Sequence, residues 1–217
     1  MALKKKWYEI VSPKMFGEKK IGETLSVDPS SLIGRKIEVS MLEIANNYQR
    51  FYIKPQFQIV HVEGDKALTK FIGHDVMRER VYRMVQLHGR RVDCIQEVTT
   101  KDGVKVRVKT VFILIKRVGT SMKNSCRAYA TRVVEDAAKE TGFEDFVKMI
   151  VEGELQQRVR REVTKIYPVG NIEIRKTEVI GDKPVAEKKR RRKVAHEEKN
   201  AKGENSKGEK AEEKVAV

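Results

Sequence analysis

The sequence predicts an α+β fold, a largely antiparallel sheet able to curve into a barrel with three helices, between an extended N-terminal arm and a charged, disordered C-terminal tail. Three observations carry this. Short runs between residues 35 and 116 alternate apolar and polar side chains, the signature of half-buried strands. The period becomes helical over 76–88 and again from 123 to 167. The last 37 of the 217 residues contain no Ile, Leu, Phe, Met, Tyr or Trp, so that stretch has nothing to pack. The divisions are residues 1–34 for the arm, 35–180 for the body and 181–217 for the tail.

Residues 1–34 mix six Lys with Trp7, Phe16, Pro13, Pro29 and three Gly, and hold no sustained period. Alternation starts at Arg35, with Ile37, Val39 and Met41 on one side of a strand. Phe51, Ile53, Phe57 and Ile59 repeat it over 51–60, and Pro55, which has no N–H, confines that strand to an edge or a bulge. A third strand covers Ala67 to Ile72. Met77, Val81, Met84 or Val85, and His88 then form one helical stripe, which Gly89 can close. Val92–Thr99 and Val104–Lys116 flank Lys101-Asp102-Gly103, an Asp-Gly hairpin turn. In the second arm Val104, Val106 and Val108 alternate with Lys105, Arg107 and Lys109, whereas Val111–Ile115 is apolar on both faces and therefore covered on both. Cys126, Ala130, Val133 or Val134, and Ala137 mark the next helix. Thr141 and Glu144 have the spacing of a capping box for a last one, in which Gly153 costs about 1 kcal/mol and offers a point of division. Pro168 ends it, and Ile172–Val179 is a closing strand.

Charge narrows the function. Lys and Arg number 46 against 31 Asp and Glu, a formal charge of +15, and the sequence pI is about 9.7. The tail takes 12 of the basic and 8 of the acidic residues, so the first 180 residues still carry a surplus of 11. A basic body, rather than only a basic tail, points to a polyanionic partner. No run approaches the roughly 18 apolar residues of a membrane span, and Met1 to Trp7 lacks the apolar stretch of a signal peptide. The expectation is a soluble intracellular protein with neither membrane nor small-molecule partner. Cys94 and Cys126, 32 residues apart, read as buried thiols and not as a disulfide framework or a zinc site.

Enzyme motifs fail on inspection. Residues 17–24 have the two-glycine spacing of a phosphate loop, but Glu23 stands where its lysine belongs. His61, His74, His88 and His196 are scattered outside any zinc-protease pattern, no Ser lies in a G-x-S-x-G elbow, and Glu135-Asp136 and Glu144-Asp145 fit solvated helix surface. No catalytic residue, cofactor or metal is therefore assigned.

The candidate RNA-binding residues are Lys4, Lys5, Lys6 and Lys14 in the arm, Arg35, the strand row Lys105, Arg107 and Lys109, then Lys116 and Arg117. On the helices they are Lys123, Arg127, Arg132, Arg158, Arg160 and Arg161, and on the closing strand Arg175 and Lys176. Alternate strand residues lie about 6.6–6.8 Å apart, close to the phosphate repeat of an RNA strand, although a merely solvated sheet face fits the row as well. The absence of an RNP-type aromatic pair or a GxxG clamp favours phosphate contacts that follow RNA shape over base reading. Trp7, Tyr8 and Phe16 can stack on bases or anchor the arm; the anchor is the reading adopted. Lys188–Lys193 fits an import signal, a phosphate-binding tail or a plain charged run.

The chain resembles the small-subunit ribosomal protein family of archaea and eukaryotes, called ribosomal protein S-three-A in eukaryotes, in its archaeal form. The resemblance runs through Trp7-Tyr8, Pro13-x-Met15-Phe16, Ile21-Gly22-x-Thr24-Leu25 and Gly34-Arg35 with Glu38-Val39-Ser40. It continues in Phe71-x-Gly73-x-Asp75, Thr99-Thr100-Lys101-Asp102-Gly103, and Ile166-Tyr167-Pro168 with Arg175-Lys176. It implies a structural, non-enzymatic protein of the cytoplasmic small ribosomal subunit, on the platform by the mRNA exit. The implied partners are rRNA near its 3′ end, neighbouring ribosomal proteins and mRNA near the exit. A soluble RNA chaperone or translation factor is the alternative with the same charge, and a metal-dependent nuclease a more distant one.

Overall fold

The computed structural model describes residues 5–45 and 47–181; Lys4 and the Lys188–Lys193 run lie outside them. Eight strands form one branched sheet. They are β1 (Lys6–Val11), β2 (Lys20–Ser26), β3 (Lys36–Glu38), β4 (Ile53–Glu63), β5 (Lys66–Val76), β6 (Arg90–Thr99), β7 (Lys105–Leu114) and β8 (Val169–Gly181). The main path is β2-β1-β5-β8-β7-β6, and β5 also carries β4, which pairs with β3. All pairings are antiparallel except β1 with β5. Among the described residues no pairing joins the ends β2, β3 and β6, so the sheet branches instead of closing into a barrel.

Five helices cover it: α1 (Met41–Ala45), α2 (Arg78–Met84), α3 (Thr120–Glu140), α4 (Phe143–Glu152) and α5 (Glu154–Thr164). One apolar cluster joins β6, β7 and β8 to α3, α4 and α5, and a second joins β4 and β5 to α1 and α2. Helix α4 serves both, placing Phe146 and Ile150 in the first and Val147 and Val151 in the second. Each such burial is worth about 1.5–3 kcal/mol, so α4 fastens the halves together.

The stretch 6–26 is not an arm outside the body. Strands β1 and β2 are a hairpin of the sheet, with Tyr8 and Ile10 buried. Phe16 meets Phe57 edge-on at 5.5 Å and lies 5.9 Å from Phe71. Tyr8 and Phe16 are thus anchors, while Trp7 is 63% exposed. The alternation was hidden because β1 holds only six residues and shows outward Lys6, Trp7 and Glu9 between its buried ones.

Other boundaries moved for local reasons. The strand read to Met41 stops at Glu38, because Ser40 Oγ accepts from Leu42 N–H at 3.2 Å and starts α1. Helix α2 ends at Met84; Gly89 does not close it, because the chain first turns through His88 at φ +65°. Pro55 sits beside the register shift at Gln56/Phe57. Gly153, at φ +82°, divides α4 from α5. The proposed capping box does not form. Thr141 Oγ1 bonds back to Ala137 O at 2.7 Å, and Phe143 N–H donates instead to Asp102 Oδ2 of the β6–β7 turn at 2.5 Å.

Strands β5 and β8 touch over only three register pairs, Gly73–Glu178, His74–Thr177 and Asp75–Lys176. Gly73 is required there, since a Cβ would stand 2.2 Å from Thr177 O. The buried His74 lies within 3.0 Å of Ile174 O through Nε2 and 2.7 Å of Thr177 Oγ1 through Nδ1. A carbonyl needs a donor, which fixes the proton on Nε2. Burial pushes the His74 pKa down, so the ring is neutral.

Candidate nucleic-acid interface

Lys105, Arg107 and Lys109 project from β7 as its period requires, while Val106 and Val108 point into the core. They are not bare. Glu97 on β6 and Glu178 on β8 are the register partners of Arg107. Arg107 pairs with Glu97 at 2.7 Å and with Glu178 at 3.6 Å, and Lys105 also pairs with Glu97. Lys109 and Lys176 reach Glu178 at 3.2 and 3.0 Å. Four cations thus share two carboxylates. The hydrogen bond from Lys105, then that from Arg107, pulls the Glu97 pKa down to about 2. Glu178 is lowered first by Lys176. The row keeps a surplus of two positive charges, less than its lysines and arginine alone imply.

Several helix cations are also engaged. Arg127 donates to Asp93 O at 3.1 Å and to Asn124 Oδ1 at 3.3 Å. Arg158 grips Glu140 at 2.9 Å. Arg35 donates to Ser31 O and Thr24 Oγ1, both at 3.2 Å, which ties it to β2. Lys5, Lys6, Lys14, Lys116, Arg117, Arg132 and Arg161 are exposed, Lys123 is half-buried, and none has an acidic partner among the described residues.

Two basic clusters appear only in three dimensions. Arg175 of β8 joins Arg78 of α2 and Arg91 of β6 around a cavity of about 170 Å3 that Val81 and Tyr82 also line. Arg91 is paired with Asp93 at 2.9 Å. The second cluster gathers Arg160 of α5 with Arg50 and Arg80 over another cavity of about 170 Å3, beside Glu173. Glu173 is buried; its Oε1 accepts from Tyr52 Oη at 3.0 Å and from Arg80 Nη2 at 3.2 Å. The Arg80 guanidinium lies 4.8 Å from the Tyr52 ring centroid. Burial, then the Glu173 charge, raises the Tyr52 pKa, which keeps its hydroxyl a donor.

Sequence reasoning named Arg160 and Arg175 but missed Arg50, Arg78, Arg80 and Arg91. Arg78 and Arg80 flank Glu79 on opposite sides of a short helix, the ordinary look of solvated surface, and no one-dimensional spacing links them to α5 or β8. Both cysteines are buried free thiols, with Cys94 pushed up to about 11 by burial. No group of three or more His, Cys, Asp or Glu among the described residues is placed to hold a metal. No described helix is long and apolar enough to cross a membrane.

The sequence profile of the ribosomal S3Ae family matches residues 2–183. The chain belongs to this family. Relatives named small ribosomal subunit protein eS1 include one from Methanothermobacter thermautotrophicus, 39% identical over 81% of this chain and 90% of its own length. The Sulfurisphaera tokodaii protein is 35% identical over 81% of this chain and 91% of its own, and that of Saccharolobus islandicus 34% over 81% and 85%. Membership in S3Ae makes the chain a structural ribosomal component, not an enzyme.

Proposed function

We propose that the chain is a constituent of the cytoplasmic small ribosomal subunit that holds rRNA near its 3′ end, on the platform by the mRNA exit, beside neighbouring ribosomal proteins. The observation that carries the rRNA-binding role is the family match across residues 2–183, over a body whose basic residues exceed its acidic ones. The platform placement and contact with mRNA near the exit rest on the family resemblance. Cations without acidic partners, such as Lys116, Arg117, Arg161 and Arg175, meet phosphates; each neutralised phosphate releases counterions, so affinity falls steeply with salt. The paired row on β7 contributes fixed positioning more than net charge.

Density-gradient fractionation of cell extract after a moderate salt wash tests this. The chain is expected to stay with small-subunit particles, whereas a chaperone or translation factor moves to the soluble fractions. Loss from the particles, together with no binding of small-subunit rRNA in dilute buffer, overturns the proposal.

A further inference from the structure

We infer that the cavity between Arg78, Arg91 and Arg175 clasps a backbone phosphate of an unpaired RNA nucleotide whose base stacks on Tyr82, an inference that rests on the RNA-binding reading and makes it specific. Three separate elements deliver the cations. Arg78 comes from α2, while Arg91 and Arg175 come from β6 and β8, the two strands that flank β7. Val81 and Tyr82 complete the lining of a space of about 170 Å3. These groups are within reach of a ligand: Arg78 is exposed, Arg91 and Arg175 are half-buried, and Tyr82 is 70% exposed.

The cavity is cationic on all sides. No carboxylate belongs to its lining. Asp93 pairs with Arg91 at 2.9 Å from outside the lining, and neither Arg78 nor Arg175 has an acidic partner among the described residues. Three arginines against one aspartate leave a surplus of two positive charges at the site. Guanidiniums that face one another across a recess repel, and the recess concentrates the opposite charge, so the arrangement calls for an anion.

Chemistry then selects the occupant. A phosphate presents oxygens on several sides, so guanidiniums arriving from a helix and two strands each find an acceptor, in the forked geometry that suits arginine. Tyr82 adds what an anion alone does not use: an exposed aromatic ring beside the cations, which is a platform for a base. Bases inside a duplex are closed to such a ring, so the nucleotide at this site is unpaired. Stacking accepts every base, and the site therefore reads the unpaired state and not the sequence. A phosphorylated side chain of a neighbouring protein shares the anion but brings no base for Tyr82.

The test measures fluorescence anisotropy of the full chain with three labelled RNA hairpins: one fully paired, one with a single bulged adenosine, and one with an abasic residue at the bulge. The abasic probe keeps the phosphate and removes only the base. The adenosine bulge is expected to bind about tenfold tighter than the abasic one. Tyr82→Ala is expected to erase that difference and Tyr82→Phe to keep it. Arg78→Ala, an exposed change, is expected to weaken both bulged probes alike, with a smaller salt dependence. Equal binding of the adenosine and abasic bulges by the unaltered chain overturns the site, as does a preference that survives Tyr82→Ala or bulge binding that Arg78→Ala leaves unmoved. A phosphoserine peptide that displaces the adenosine bulge as readily as unlabelled bulged RNA assigns the cavity to a protein partner and also overturns it. All of these results leave the RNA-binding reading standing, whereas no binding of any hairpin in dilute buffer overturns both.

Discussion

Glu173 and Glu178 stand five residues apart on one strand, both surrounded by cations, and they have opposite fates. Glu178 is partly exposed and shared by Lys109, Lys176 and Arg107. Glu173 is buried, with two donors on one oxygen and none on the other. The difference teaches that a charge surplus does not locate a binding site. On the Glu178 side, regular pairing of three strands brings acids into register with the basic row and quenches much of it. On the Glu173 side, α5, α2 and the loop before β4 deliver arginines without matching acids, and the single carboxylate lies beneath them.

The largest expected effect tests the short β5–β8 seam between the two glutamates. Gly73→Ala drives a Cβ into the Thr177 carbonyl, which only strand separation relieves. A loss of about 3 kcal/mol or more, read as a lower urea midpoint, is expected. An unchanged midpoint would show that the β5–β8 seam does not hold the halves together.

Alanine at each glutamate sharpens the contrast. Glu173→Ala strands the Tyr52 hydroxyl and one face of Arg80, and should destabilise by about 1–3 kcal/mol. Glu178→Ala should stay within about 0.5 kcal/mol, since partly exposed ion pairs contribute little. Equal costs in urea titrations would erase the distinction.

The acid limb is the smallest effect. Glu97 has a folded pKa near 2, below its ordinary 4.5. Its ion pairs therefore stabilise the fold fully above pH 4.5 and lose that contribution as pH falls toward 2. A carboxyl-carbon NMR titration should place its midpoint near 2, and Lys105→Ala should move it upward. A midpoint at the ordinary value would mean the row is not paired in solution.

Much of this was legible in one dimension. Period-two alternation with a turn glycine identified β6 and β7, because each strand is long enough to repeat its pattern and Asp102-Gly103 marks the reversal. The apolar stripe of α3 was equally clear, since a helix needs only its own spacing to show which face is buried; that of α4 and α5 was legible at Val147, Ile150, Val151, Leu155 and Val159, but not at Phe146 and Val163, because Gly153 breaks the period and the helix stops at Thr164 and not at Pro168. The N-terminal hairpin escaped because its strands are short and their exposed sides hold Trp7 and Leu25, which blur the alternation. The cap of α4 escaped because its acceptor, Asp102, comes from 41 residues away.

The sequence by itself determined the fold class, the cationic balance and the family, since these depend on composition, local period and ordered motifs. Only the tertiary structure decided which cations are neutralised and which converge. Glu97 meets Arg107 by strand register, and Arg50, Arg80 and Arg160 meet over Glu173 by the packing of helices and loops around β8. Those are distances between segments far apart along the chain, and no local spacing encodes them.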